Sequence, residues 1–179
     1  MKRILFIDRD GVILQEPPQD FQIDSTDKTS FVPGAIVGLS NIAASLDYYK
    51  VMVTNQDGLG TPSYPADTFY PYQNLMLRTL EGEGFTFDEV IIDKTFAHEN
   101  APTRKPGTGL LTHLMNNPAY DLSGSFVIGD RYTDIQLAKN LGCKAIYFKS
   151  PLHPLTPEQD TELRSTIALE TSSWADVYS

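Results

Sequence analysis

Short apolar runs rich in β-branched residues alternate along the chain with segments in which apolar positions recur at helical spacing. The apolar runs predict buried strands at residues 2–7, 49–53, near 90, 125–128 and 145–148. The helical spacing predicts helices at residues 34–46, 67–81, 107–116, 132–141 and 158–169. This alternation is typical of an α/β fold whose central parallel sheet is covered on both faces.

The first predicted strand ends at two carboxylates, Asp8 and Asp10, which are followed by Gly11. In an extended chain, residues two positions apart project to the same side, and a glycine lets the backbone turn sharply away. Two such acids repel each other unless a cation lies between them or one of them holds a proton. Both arrangements suit phosphate chemistry, because a divalent metal prefers oxygen ligands and a neutral acid can donate to a leaving group. Taken alone, the segment is equally consistent with an acidic turn at the surface.

Polar residues close three later segments in the same way: Thr54, Asn55, Arg104, Lys105, Asp130 and Asp134. The first two follow the second predicted strand, the next two precede the third predicted helix, and the last two open the helix after residues 125–128. Each cluster alone fits an ordinary turn or a solvated surface charge. Open α/β sheets place ligands at the carboxyl ends of their strands, so four such clusters in succession favour one common site.

The set acid-x-acid, Thr, Lys and Gly-Asp-x-x-x-Asp resembles the haloacid dehalogenase superfamily of phosphotransferases over roughly residues 1–150. The resemblance implies that Asp8 is the nucleophile and Asp10 the general acid and base. It implies that Thr54 is the catalytic residue whose hydroxyl binds the phosphoryl group, and that Lys105 is the catalytic lysine of the third motif. It also implies that Mg²⁺ is held by Asp8, Asp130 and the backbone carbonyl of Asp10. The residues expected to support this site are Asn55, Arg104 and Asp134. By the same analogy the fold is a Rossmann-like three-layer sandwich with the sheet order 5-4-1-2-3.

A charge argument fits that assignment. A phosphate monoester is close to a dianion at neutral pH, since its second pKa is about 6. The carboxylate of Asp8 therefore needs positive charge nearby, which Mg²⁺ and Lys105 supply, before it attacks in line to give an aspartyl phosphate. Asp10 gives a proton to the departing alkoxide and later takes one from the attacking water.

The loop at residues 14–32 follows the first strand, where many relatives carry a larger cap domain, and it is too short to form one. This minimal cap loop implies an open site for small substrates. With residues 54–61, 74–76 and 85–90 it is similar to the histidinol-phosphate phosphatase domain family. In that family the domain is the amino-terminal half of a bifunctional enzyme of histidine biosynthesis, ahead of an imidazoleglycerol-phosphate dehydratase. The resemblance implies that the substrate is L-histidinol phosphate.

That substrate carries an ammonium group and an imidazole, which acids, amides and an aromatic ring can recognise. The candidate substrate-binding residues are Glu16, Phe21, Gln22, Gln56 and Asp57. Glu16 and Gln22 rank first, because the cap loop must fold back over the substrate. For each acid, a solvated loop charge is the alternative interpretation.

Many relatives bind a structural Zn²⁺ in the loop before the lysine, through three cysteines and a histidine. The equivalent loop here, residues 93–106, contains no cysteine. Asp93 and His98 alone do not complete a closed tetrahedral site, so we expect no structural zinc. The single cysteine, Cys143, is expected to be a small buried hydrophobe.

Composition adds modest constraints. A length of 179 residues predicts one domain over residues 1–179, and one cysteine argues against a disulfide framework. The formal net charge of −9 disfavours nucleic acids and anionic membranes as partners. No signal-peptide pattern or membrane-length apolar run is present, so the expected location is the cytoplasm. The chain is either a full protein or a fragment of a bifunctional one.

Two other functions fit parts of the pattern. A related small-cap phosphatase, such as one acting on heptose bisphosphate, shares the Asp-Arg-Asp-Gly and Thr-Asn-Gln motifs. A binding module that accepts a phosphoryl group on Asp8 without turnover shares the acidic strand end and the lysine. Asp10 argues against the module, because such a switch does not need an acid and base two residues from its phosphate acceptor.

Overall fold

The computed structural model describes all 179 residues. The strands are β1 (Lys2–Ile7), β2 (Tyr48–Asn55), β3 (Glu89–Asp93), β4 (Tyr120–Gly129), β5 (Lys144–Phe148) and β6 (Ile167–Thr171). The α-helices are α1 (Ala35–Ser45), α2 (Tyr70–Gly82), α3 (Thr112–Met115), α4 (Tyr132–Leu141), α5 (Pro157–Leu163) and α6 (Trp174–Val177). Single 3₁₀ turns occur at Thr26–Lys28, Ala66–Thr68 and Ala97–Glu99.

All six strands are parallel and form one sheet in the order β3-β2-β1-β4-β5-β6. The predicted α/β fold is confirmed, and so is the predicted order for the first five strands, with β1 at the centre. The sequence pattern did not reveal β6, which extends the sheet beyond β5. No helix in the structure is both long enough and apolar enough to cross a bilayer.

Two apolar cores lie on opposite faces of the sheet, because alternate residues of each strand point in opposite directions. Leu5 and Ile7 of β1 belong to the core that includes residues of α1, α2 and α6. Ile4 and Phe6 belong to the core that includes residues of α3, α4 and α5. The result is the expected three-layer arrangement.

The predicted helix at residues 107–116 is wrong for its first half. Only Thr112–Met115 is helical, because the preceding glycines pack tightly against the backbone of Pro102. Gly109 N donates to Pro102 O at 2.9 Å, and a Cβ on Gly107 would lie 2.2 Å from the same oxygen. This close approach shapes the loop that carries Lys105.

The predicted helix at residues 158–169 is also too long. It ends at Leu163, and Ile167 begins β6. Leu163 and Ile167 are four residues apart, which imitates a helical face, whereas Ile167 and Leu169 follow the alternation of a strand. Pairing with β5 decides between the two patterns, as shown by the bond from Lys149 N to Thr171 O at 2.7 Å.

Trp174 ties the carboxyl-terminal segment to the core, and we expect Trp174→Ala to lower the free energy of unfolding by about 3–5 kcal/mol. The side chain is fully buried, packs on Phe148, and donates from Nε1 to Val12 O at 2.8 Å. The melting temperature measured by circular dichroism should fall by roughly 10 °C. The partly exposed Tyr178 provides a matched aromatic control, and Tyr178→Ala should have little effect. Equal melting temperatures for the two variants would contradict this expectation.

Candidate active site

A cavity of about 550 Å³ opens at the carboxyl ends of β1 and β2, beside the loop before α3 and the start of α4. Its wall includes eleven of the residues singled out from the sequence: Asp8, Asp10, Glu16, Phe21, Gln22, Thr54, Asn55, Gln56, Asp57, Arg104 and Lys105. Asp130 and Asp134 do not line the cavity, but they lie directly behind Asp8. The strand ends therefore bring the predicted site residues together, although they are separated by more than a hundred positions in the chain.

Three carboxylates form a cluster, here called the acidic floor of the site, of which only Asp8 lines the cavity itself. One oxygen each of Asp8, Asp130 and Asp134 lies within 4.8 Å of the others. Burial raises the pKa of Asp8 to about 7, against the opposing effect of Lys105. Burial, together with the charges of Asp8 and Asp134, raises the pKa of Asp130 to about 9. These acids are therefore costly to ionise together without an added cation.

The environment of Asp130 fits a divalent metal ion. Its side chain is fully buried, and neither carboxylate oxygen has a hydrogen-bond partner. Gly11, with a φ of 76°, lies so close that a Cβ there would be 2.2 Å from Asp130 Oδ2. Unpartnered buried carboxylate oxygens beside a second acid are suitable ligands for a hard cation such as Mg²⁺. The resident donors thus satisfy the chemistry that a magnesium site requires.

Lys105 supplies the nearest positive charge. The side chain is 5% exposed, and Nζ lies 2.8 Å from Asp8 Oδ1 and 2.7 Å from Asp134 Oδ1. Burial alone would lower the pKa of Lys105, but the charges of Asp134 and Asp8 raise it above its ordinary value. Asn55 fixes the backbone here, since its Oδ1 accepts from Lys105 N at 3.1 Å and its Nδ2 donates to Lys105 O at 3.3 Å. The two carboxylates therefore favour the charged form of the ammonium group and hold it against the acidic floor of the site.

Thr54 and Asp10 are connected through an amide. Gln56 Nε2 donates to Asp10 Oδ2 at 2.8 Å and contacts Thr54 Oγ1 at 2.9 Å, and its side chain is almost fully buried. Both amide atoms of Gln56 have protein partners, because its Oε1 also accepts from Arg9. This placement favours a positioning role for Gln56 over the substrate contact expected from the sequence.

Two further candidates are held by neighbouring loops. Arg104 Nη1 donates to Asp57 Oδ1 at 2.5 Å and to Thr95 O at 2.9 Å. Asp57 is therefore paired rather than free at the cavity wall. The pair joins the loop after β2 to the loop before α3, and so stabilises the two segments that carry Thr54 and Lys105.

The mouth of the cavity contains a charged cluster that the sequence pattern did not reveal. Glu16 is buried, and its two carboxylate oxygens accept separately from Arg131 and from His153. The ring of Phe21, 46% exposed and with a φ of 59°, lies 5.6 Å from the ring of His153. Gln22 Nε2 donates to Ser63 O at 3.4 Å. Arg131 could have been identified from the sequence, because it directly follows Asp130, the predicted metal ligand. His153 could not, because it is an isolated histidine in a proline-rich segment.

In the metal-free protein, Asp130 should make the fold less stable as the pH rises from about 5 to 9. The folded protein retains a proton on this carboxyl up to about pH 9, whereas the unfolded chain loses it near the ordinary pKa of 3.8. Because the folded state binds more protons in this range, the free energy of unfolding decreases as the pH increases. With a chelator, the melting temperature should fall by roughly 5 °C between pH 6 and pH 9, and Mg²⁺ should reduce that fall.

Asp130→Asn is the control for this pH dependence, since it keeps the shape of the side chain and removes its titration. Its melting temperature in chelator should change less with pH over the same range. A slope identical to that of the unsubstituted protein would show that Asp130 does not cause the effect.

Comparison with known proteins agrees with the fold and the motifs. The HAD-hydrolase-like family model matches residues 102–170. The histidine biosynthesis bifunctional protein HisB of Bacteroides fragilis is 53% identical over 173 residues, which cover 97% of this chain and 46% of that protein. HisB of Spirosoma linguale is 48% identical over 185 residues, covering 99% of this chain and 48% of that protein. The chain thus spans about half the length of the curated relatives it matches.

Solved structures show the same architecture. The D,D-heptose 1,7-bisphosphate phosphatase of B. bronchiseptica, crystallised with magnesium and phosphate, superposes with a TM-score of 0.77 at 24% identity and covers 99% of this chain and 96% of that one. The parallel sheet, with the acids at its carboxyl edge, has the HAD-like fold, and residues 102–170 match the HAD-hydrolase-like family model. The chain is a homologue of HisB over the part of that protein that it matches.

Proposed function

We propose that the protein hydrolyses L-histidinol phosphate to L-histidinol and phosphate, with Mg²⁺, as a histidinol-phosphatase of histidine biosynthesis. The observation that carries the proposal is the 53% identity to HisB across 97% of the chain. The geometry of the cavity supports a phosphate-ester hydrolase independently, because nucleophile, acid, lysine and acidic floor meet there.

Asp8 is the proposed nucleophile. Asp8 lines the cavity, and its Oδ1 lies 2.8 Å from Lys105 Nζ, so a phosphate bound beside the lysine would lie next to the carboxylate. Thr54 also lines the cavity, and its hydroxyl would donate to an equatorial phosphate oxygen. Attack by Asp8 forms an aspartyl phosphate while the bond between phosphorus and the ester oxygen breaks. Asp10 protonates the departing oxygen and afterwards removes a proton from the attacking water.

Asp8, Asp130 and the backbone carbonyl of Asp10 are the proposed holders of Mg²⁺, which would supply positive charge to neutralise the phosphoryl group. Asp134 lies outside this set, because its Oδ1 is bound to Lys105 Nζ and its Oδ2 accepts from Arg131 N at 3.1 Å. Asp134 thereby orients the lysine, and the supporting role expected for it agrees with these contacts.

The charged cluster at the mouth of the cavity, formed by Glu16, Arg131 and His153, affects which nearby side chains are free to contact the substrate. Both oxygens of Glu16 have cationic or imidazole partners, so its charge is largely compensated before any substrate arrives. This favours Glu16 as the residue that anchors the cap loop. Phe21 offers an exposed ring for stacking against the imidazole, and Gln22, which makes only a long contact to Ser63 O, has an amide able to bond a ring nitrogen.

The test is phosphate release from L-histidinol phosphate compared with D,D-heptose 1,7-bisphosphate, each measured with Mg²⁺ and with a chelator. A strong preference for histidinol phosphate that disappears in chelator would support the proposal. A preference for the heptose ester would show that the proposed substrate is wrong, while the proposed reaction would stand. A stable phosphoprotein without turnover on any ester would instead favour the phospho-acceptor module.

The HisB relatives are bifunctional proteins of which this chain matches about half. This supports an association of the chain with a second activity, either fused to it or cut from it, which the family resemblance implies is an imidazoleglycerol-phosphate dehydratase. The absence of structural zinc and a cytoplasmic location remain predictions. Zinc analysis of purified protein by mass spectrometry tests the first of them directly.

A further inference from the structure

In the sequence, a fully buried arginine stands between the two acids at the end of β1. Arg9 has no exposed surface, and an arginine is almost never fully buried unless it is paired. Its Nε donates to Asp10 Oδ1 at 2.7 Å, and its Nη2 donates to Asp10 Oδ2 at 3.2 Å. A bidentate pair of this kind fixes the plane of the carboxylate as well as its position.

Other side chains hold the guanidinium in place. Arg9 Nη1 donates to Gln73 Oε1 at 3.1 Å, and Nη2 donates to Gln56 Oε1 at 3.3 Å. The ring of Phe69 lies 4.8 Å from the guanidinium carbon. Gln73 belongs to α2 and Gln56 follows β2, so the position of Asp10 is fixed, through Arg9, relative to two separate elements of the fold. Neutralising the charge of Asp10 alone would not require these additional contacts.

The contacts distinguish the two oxygens of Asp10. Oδ2 accepts from Arg9 Nη2 and from Gln56 Nε2, whereas Oδ1 accepts from Arg9 Nε alone. Each carboxylate oxygen has two lone pairs, so Oδ2 is fully used and Oδ1 keeps one free position. Asp10 lines the cavity, and by its hydrogen bonds Oδ1 is the oxygen with a position left for a proton.

We propose that Arg9 is a positioning residue, which orients Asp10 so that Oδ1 exchanges the proton with the leaving group and then with water. This rests on the proposed function, because it requires phosphate-ester turnover. In the first step the bond from Asp8 to phosphorus forms, the bond from phosphorus to the ester oxygen breaks, and the Asp10 proton moves to that oxygen. In the second step water attacks phosphorus, its proton passes to Asp10, and the bond to Asp8 breaks.

If Arg9 positions Asp10, its substitution should affect different leaving groups to different extents, which a purely structural role would not cause. An alkoxide is a poor leaving group and needs the proton, whereas p-nitrophenolate departs without one. The ratio kcat/KM reports all steps up to release of the alcohol, so it isolates the acid function of Asp10. A misplaced Asp10 should therefore slow alkyl esters much more than p-nitrophenyl phosphate.

The experiment measures kcat/KM of Arg9→Lys and Gln73→Met with L-histidinol phosphate and with p-nitrophenyl phosphate. Lysine keeps the charge of Arg9 but cannot form the two-pronged contact, and methionine removes the acceptor that holds Nη1. For Arg9→Lys we expect a loss of about 100-fold on histidinol phosphate and less than about fivefold on the aryl ester. Gln73→Met should shift the ratio in the same direction by a smaller factor.

Met76→Ala is the matched structural control, because Met76 is fully buried on the same helix and belongs to the apolar core. It should lower the melting temperature and leave the ratio of the two esters unchanged. Equal losses on both esters for Arg9→Lys and for Gln73→Met would overturn the positioning role. If the unsubstituted protein hydrolysed neither ester, the proposed function would fail, and the role of Arg9 with it. That result comes from the unsubstituted protein alone, so it is distinct from a failure of the positioning role, which only the variants can show.

Discussion

Asp8→Asn is expected to abolish phosphate release from L-histidinol phosphate, with kcat lowered by at least about 10⁴-fold. An amide of the same size replaces the carboxylate that would attack phosphorus, so no aspartyl phosphate can form. Asp8 is 6% exposed, at the cavity wall, with Lys105 Nζ 2.8 Å from Oδ1. The measurement is phosphate release over time, with phosphoprotein trapped by acid quench as a second readout.

The loss should not come from unfolding. Burial raises the pKa of Asp8 to about 7, so the neutral amide avoids a cost that the ionised carboxylate incurs in the metal-free fold. The melting temperature in chelator at pH 8 should therefore be equal or higher in the variant. Asp121→Asn is the control, because Asp121 lies at the start of β4, at the end of the sheet opposite to the site, and this variant should keep full activity. Undiminished phosphate release by Asp8→Asn would exclude Asp8 as the nucleophile.

The residues at strand ends were predictable because two simple rules place them. Apolar runs mark the buried strands, and parallel strands have their carboxyl ends at one edge of the sheet. Asp8, Thr54 and Asp130 each follow such a run, so their convergence follows from the pattern of strands alone. The functional assignment of each residue came from the family resemblance, because the pattern itself does not distinguish a nucleophile from a metal ligand.

The partners of these residues could not be predicted, because they depend on contacts between distant segments. Glu16 and His153 are 137 positions apart, and neither lies in a periodic pattern. Arg9 lies inside the first motif, yet its sequence position does not show that its charge is directed inward to Asp10 and Gln73. Tertiary contacts of this kind decide whether a polar residue contacts substrate or orients a neighbour.

The loop that carries Lys105 illustrates a similar limit. Its sequence shows helical spacing from residue 107, but backbone packing against Pro102 prevents the first half of that helix. Three side chains then define the position of the lysine: Asn55, which bonds its backbone, and Asp8 and Asp134, which contact its ammonium group. The sequence contains these residues, but only the folded chain shows that they act on the same lysine.

Lys105→Met is expected to reduce kcat/KM for L-histidinol phosphate by about 10³-fold and also to destabilise the protein. Methionine retains the apolar stem and removes the charge that lies between Asp8 and Asp134. The buried acids, with Asp130 beside them, then face one another without the lysine, which should lower the free energy of unfolding by about 3 kcal/mol at pH 8. Kinetics and thermal unfolding of the same preparation measure both effects.

The pH dependence identifies the cause of that destabilisation. Since Lys105 opposes the raised pKa of Asp8, its removal should raise that pKa further, so Asp8 will hold its proton at higher pH. The stability deficit should therefore shrink as the pH falls from 8 to 5.5, because protonation removes the repulsion. Lys139→Met is the control, because Lys139 forms an exposed pair with Glu162 and its loss should change stability by less than about 0.5 kcal/mol at either pH. A deficit of equal size at both pH values would instead indicate lost packing of the lysine stem.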